Sequence, residues 1–240
     1  MVSFPWVQDL KNYGKYLKDA LMSDEATFSS RLFQHKVIPS VNKGMTDGSK
    51  WMIVMHGLGD SLSSYIELCK EINVTGLNYL LVNAPFNHYF GHSWYDLPPA
   101  GKPYNRLEQA REKLAGLIKE MNDFGIPCKD IFLMGFSQGG LMAIDQFTSQ
   151  KQLFAGVVAL SPRIRVRDDW EKFQVEGKFN TPIFMAHGYY DEQIPYQETF
   201  EAANALKENG FSIKFNAYEM GHEIDIDEIR DLREWLNEHL

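Results

Sequence analysis

Cysteine is scarce: Cys69 and Cys128 are the only two in 240 residues, and no C-x-x-C occurs. That argues against a disulfide scaffold or a redox dithiol and points to a reducing cytoplasm. Positive charge is also short. Lys plus Arg is 24 against 32 for Asp plus Glu, a formal net charge of -8. No basic stripe offsets this, so no nucleic-acid partner is expected. Long apolar runs are missing too, and with them any membrane span, so no integral membrane association is expected. Residues 1–25 are interrupted by Asp9, Lys11, Lys15, Lys18 and Asp19 and lack the unbroken apolar stretch of a secretory signal. There is no internal repeat, low-complexity tract or Ser/Pro linker. What is present is 44% hydrophobic residues, enough for one large core, and residues 1–240 read as a single domain.

Short apolar runs alternate with helical patterns. Trp51–Met55, Tyr79–Val82, Ile131–Met134, Gly156–Leu160 and Ile183–Ala186 read as buried strands, and Phe211–Tyr218 as a strand nearer an edge. Helices are expected over about 62–72, 105–124, 138–149, 196–209 and 225–239. This order predicts an α/β fold with a mostly parallel sheet and helices on both faces. Asn105 and Glu108 predict a capping box at the start of the second helix. Residues 1–45 read as an N-terminal extension packed on the body. Within it, residues 6–22 form an amphipathic stripe interrupted by Gly14. Residues 28–40 hold one or two short strands, and 42–49 a polar turn. The stripe has three places to bury its apolar face: this chain's core, a second subunit as in a homodimer, or a membrane surface.

The pentapeptide Gly135-Phe136-Ser137-Gln138-Gly139 stands between a predicted strand and a predicted helix. G-x-S-x-G alone is expected by chance in roughly one of thirteen chains of this composition. Strand before and helix after turn it into a candidate nucleophile elbow. A serine needs a base, and the base an orienting acid, in the order Ser, Asp/Glu, His on such a scaffold. Asp191 follows the Ile183–Ala186 strand, and His222 follows the Phe211–Tyr218 strand, so Ser137, Asp191 and His222 are the candidate catalytic residues. Glu192 is the rival acid. Asp168, Asp169, Asp225 and Asp227 read as helix-start charges.

Two backbone N–H groups should hold the oxyanion. Gln138, at the helix start, supplies one, and Leu58, in the glycine turn His56-Gly57-Leu58-Gly59-Asp60, supplies the other. His56 and His187 read as structural hydrogen-bonding histidines. Trp94, Tyr95 and Leu141 are candidate substrate-binding residues. His88 and His92 have a four-residue spacing, but Pro85 and Gly91 argue against a helix there and no third ligand follows, so no metal is expected.

His56-Gly57-Leu58-Gly59-Asp60, Asn83-Ala84-Pro85, Ser93-Trp94-Tyr95-Asp96, Gly135-Phe136-Ser137-Gln138-Gly139-Gly140, His187-Gly188-x-x-Asp191 and Gly221-His222 together resemble the phospholipase/carboxylesterase family of α/β-hydrolases. That family includes the acyl-protein thioesterases. The resemblance spans roughly residues 50–240. It implies an α/β-hydrolase fold, a Ser137–Asp191–His222 triad, an oxyanion hole at Leu58 and Gln138, and hydrolysis of a small-molecule or lipid ester without metal or organic cofactor. The short stretch between Pro85 and Ser93 looks like that of small bacterial carboxylesterases, so a serine carboxylesterase on short-to-medium acyl esters is expected. A lysophospholipase or acyl-protein thioesterase is the alternative, and a catalytically silent binding fold the remote one. The run Arg163-Ile164-Arg165-Val166-Arg167 is more basic than the family pattern. It either flanks the pocket and favours an anionic group or is a solvated loop.

Overall fold

A computed structural model describes residues 27–40, 49–97, 104–164 and 175–240. The amphipathic stripe at 6–22 and almost all of the polar turn at 42–49 lie outside the described residues.

Seven strands form one sheet. They are β1 (His35–Ile38), β2 (Lys50–Met55), β3 (Leu77–Val82), β6 (Ile131–Phe136), β7 (Gly156–Leu160), β8 (Ile183–Gly188) and β9 (Ile213–Tyr218). Their spatial order is β1-β3-β2-β6-β7-β8-β9. Every pairing is parallel except β1 with β3. A short hairpin, β4 (Phe86–His88) and β5 (Gly91–Ser93), stands apart as a second sheet. Among the described residues the α-helices are α1 (Tyr65–Ile72), α2 (Leu107–Asp123), α3 (Gln138–Thr148), α4 (Tyr196–Glu208) and α5 (Ile226–His239).

The continuous apolar runs follow from burial on both faces. Along β2, Ile53 and Met55 join the core formed with α2, α3 and α4, while Met52 and Val54 join the core formed with α1 and α5. Successive strand side chains point to opposite faces, so a strand covered on both sides must be apolar at every position. β9 is only half-buried, as its edge position dictates.

A short strand was expected within residues 28–40, and its place is specific. Residues 35–38 belong to the central sheet: β1 pairs with β3 from His35 opposite Val82 to Ile38 opposite Tyr79. The start of α2 is not the expected capping box. Arg106 occupies the N-cap position with φ 66° and no side-chain cap, and the Asn105 carbonyl accepts the Asp96 N–H instead. Glu108 pairs with Arg111, whose guanidinium also clasps the buried Asp145 of α3. The genuine capping box is at α5, where Asp225 accepts from Asp227 N–H and Glu228 reaches back to the Asp225 amide.

Glu228 carries a pH consequence. It is fully buried, and burial, with repulsion from Asp225, pushes its carboxyl up to about 8 against the helping hydrogen bond from the Asp225 amide. An unfolded chain ionises a glutamate near about 4.3. Between those values the native state holds a proton that the unfolded state has lost, so this group's contribution to stability falls as pH rises toward 8. Glu228→Gln keeps an acceptor for the cap and carries no titratable proton. Its melting temperature relative to wild type should therefore climb from pH 5 to about pH 8 and level off by pH 9. A constant difference across that range would show that Glu228 is not held protonated.

Candidate active site

The sheet brings its chemistry to the C-terminal ends of its parallel strands, where ligand crevices form in such folds. Ser137 sits between β6 and α3 with φ 52° and ψ -112°, a strained conformation for a residue with a Cβ. The flanking glycines make the turn possible. A Cβ on Gly135 would lie 2.1 Å from the Gly139 backbone, and one on Gly139 would lie 2.1 Å from the Met55 carbonyl oxygen. Ser137 N–H donates to Leu160 O at 2.8 Å, and Ser137 O accepts from Leu141 N–H at 3.1 Å. The backbone thus fixes the turn and leaves the hydroxyl free to point outward.

His222 follows β9, and its Nε2 lies 2.9 Å from Ser137 Oγ. Its Nδ1 lies 2.6 Å from Oδ2 of Asp191, which follows β8. The Asp191 side chain is fully buried. Burial opposes its charge most strongly. Donation from the Ile194 and Gln193 amides to Oδ1 and from His222 outweighs that, and the carboxyl stays below its usual range. A carboxylate accepts, so His222 Nδ1–H donates to it, and Nε2 is left to take the serine proton.

His187 stands beside the same carboxylate. Its Nε2 is 2.8 Å from Ile194 O and 3.3 Å from Asp191 Oδ2, both acceptors, so Nε2 carries the proton. Burial pushes this imidazole down from its ordinary range, which keeps it neutral. Glu192 is exposed and Asp225 caps α5, so neither competes as the acid beside His222. Asp168 and Asp169 lie outside the described residues.

Four of the motifs meet around the elbow through hydrogen bonds. His56 Nε2 accepts from the Ala84 amide at 2.9 Å, and its Nδ1 is 2.6 Å from Gly57 O. The His56 carbonyl accepts from Trp94 Nε1 at 2.9 Å. Gln138 Oε1 accepts from Trp94 N–H and Gln138 Nε2 donates to Tyr95 O, each at 2.7 Å. This lattice holds the glycine turn beside the serine. The Gln138 amide belongs to the first turn of α3, where helix geometry provides no acceptor for it. Leu58, Ser137, Gln138 and His222 all line one cavity of about 110 Å³.

The sequence profile of the phospholipase/carboxylesterase family matches residues 36–240. The chain belongs to this family. Acyl-protein thioesterase 1 of Emericella nidulans is 30% identical over 226 residues, covering 84% of this chain and 93% of the relative. The fold is shared with the crystal structure of Arabidopsis thaliana SOBER1, at TM-score 0.71 and 24% identity over 80% of this chain and 99% of that one. It is shared likewise with the Bacillus cereus carboxylesterase, at TM-score 0.74 and 16% identity over 88% and 96%. As a member of the phospholipase/carboxylesterase family, the protein is a hydrolase of carboxylic ester or thioester bonds.

In this phospholipase/carboxylesterase, the remaining cavity wall is Tyr95, Leu97, Arg163, Gln193 and Ile194. Tyr95 was expected there. Trp94 and Leu141 were too, but both are fully buried in the core against their neighbours and do not line the cavity. Their aromatic and aliphatic bulk packs the layer beneath the site. Leu97, Arg163, Gln193 and Ile194 were not singled out from sequence as wall residues, apart from the open reading of the basic run. Arg165 and Arg167 lie outside the described residues. His88 and His92 sit on the β4–β5 hairpin, and among the described residues no group of three His, Cys, Asp or Glu side chains could hold a metal ion. Among the same residues no helix is long and apolar enough to cross a membrane.

Proposed function

We propose that the protein hydrolyses acyl thioesters and esters by way of a Ser137 acyl-enzyme, with His222 as general base and acid and Asp191 as the orienting carboxylate. The observation that carries the reading is the unbroken path Ser137 Oγ to His222 Nε2 and His222 Nδ1 to Asp191 Oδ2, at 2.9 and 2.6 Å. His222 takes the serine proton as Oγ attacks the carbonyl, then returns it to the departing thiolate or alkoxide. Water repeats the cycle and frees the acid. The Leu58 and Gln138 amides are assigned to the developing oxyanion. The curated relatives are named acyl-protein thioesterases, which favours thioesters over the oxoesters expected from sequence.

A specific observation bears on acyl length. Pockets that enclose drug-sized ligands measure about 300–1,000 Å³. A cavity of about 110 Å³ holds far less, which favours acyl groups of a few carbons. A fluorophosphonate probe should label Ser137, and matched thioesters and p-nitrophenyl esters from two to sixteen carbons should be cleaved with kcat/KM highest at the short end. A maximum at sixteen carbons, with a palmitoyl peptide and a lysophospholipid turned over as well, would overturn the short-chain reading. Absence of labelling would overturn the nucleophile.

A further inference from the structure

We propose that Arg163 selects substrates bearing an anionic group a few atoms from the scissile carbonyl. This rests on the hydrolase reading above and narrows its substrate class. Arg163 follows β7 and shares the small cavity with Ser137 and His222. Among the described residues it is the only lining side chain with a permanent charge, and no Asp or Glu joins it on the wall. On a chain with net charge -8, this places positive charge on the wall of the cavity that Ser137 lines.

The guanidinium has capacity to spare. It carries five N–H donors. Among the described residues its hydrogen bonding comes to one contact, NH2 to Gln193 O at 3.3 Å, and its Nε is buried without a hydrogen-bond partner. Glu198 stands 3.6 Å from Nε, with side chains 41% and 55% exposed. A half-exposed pair of that kind is screened by water, so Glu198 offsets the charge only in part, and the terminal nitrogens of the guanidinium keep unused donors. A substrate carboxylate or phosphate entering the cavity would meet a planar fork of donors suited to it. The apolar part of the wall, Leu58, Leu97 and Ile194, suits a short apolar spacer between that anion and the ester.

The anion can come from either side of the ester. Monomethyl glutarate against methyl pentanoate tests the acyl side. 1-Butanoylglycerol 3-phosphate against 1-butanoylglycerol tests the alcohol side. In the wild type, kcat/KM should favour the anionic member of at least one pair by about tenfold or more, the scale of a charge-assisted hydrogen bond. Added salt should shrink that ratio. Arg163→Gln should lower kcat/KM for the anionic member about tenfold more than for its neutral partner, and Arg163→Lys should retain part of the preference. The salt titration needs no variant and stands even if Arg163→Gln folds poorly. Preference for the neutral member in both pairs, or a ratio indifferent to both salt and Arg163→Gln, would overturn the proposal. If none of the four esters is cleaved while the fluorophosphonate still labels Ser137, the anion proposal fails and the hydrolase reading stands. If labelling fails too, both fall.

Discussion

Ser137→Ala should abolish hydrolysis and leave the fold intact. Loss of the nucleophile in serine hydrolases costs about 10⁶-fold in kcat, and among the described lining residues the one other hydroxyl is the phenol of Tyr95, a far weaker candidate without a base beside it. The fold should survive because the turn is held by backbone. Ser137 N–H on Leu160 O and Leu141 N–H on Ser137 O do not involve the side chain. Alanine also inherits the same strained φ of 52°, so the strain neither grows nor relaxes. Steady-state kinetics on a short thioester, paired with thermal unfolding, check both halves. Activity within tenfold of wild type would remove Ser137 from the mechanism, and a collapsed melting temperature would show that Oγ holds structure.

His222→Ala should match the serine variant, because nothing else accepts the Oγ proton. Asp191→Asn is the more revealing change. Oδ1 already accepts from the Gln193 and Ile194 amides, at 2.9 and 2.8 Å, so an asparagine would place its oxygen there. Its NH2 would then face another donor, His222 Nδ1–H. His222 can escape the clash by moving its proton to Nε2, the nitrogen that must receive the serine proton. The expected loss is about 10⁴-fold in kcat/KM, severe but smaller than for His222→Ala. Near-wild-type activity in Asp191→Asn, with a dead Glu192→Gln, would reassign the acid.

The central strands were legible because burial on both faces leaves β2, β3, β6, β7 and β8 apolar at nearly every position, a signal that needs no partner to read. The order Ser137, Asp191, His222 was legible because each residue stands just past a strand, β6, β8 and the half-buried edge strand β9 in turn. What local sequence could not show was long-range. Asn105 has the side chain for a cap, but its carbonyl is engaged by Asp96 and Arg106 takes the left-handed conformation instead. Trp94 and Leu141 are as apolar as any pocket wall, and only packing shows that they lie beneath the site. The Gln138 side chain occupies a position that the motif leaves open, and its two hydrogen bonds reach residues more than forty positions away.

The tightness of the elbow limits how this protein can diversify. Substitution at Gly135 or Gly139 drives a side chain into backbone. Phe136 packs its ring 4.9 Å from that of His222, and Gln138 clamps the Trp94–Tyr95 segment. All five positions of the pentapeptide are therefore committed, including the two written as x. A library randomised there should return almost only the parent sequence after selection for activity. New specificities should instead accumulate at Leu97 and Gln193, exposed rim residues that border the same cavity without building its floor.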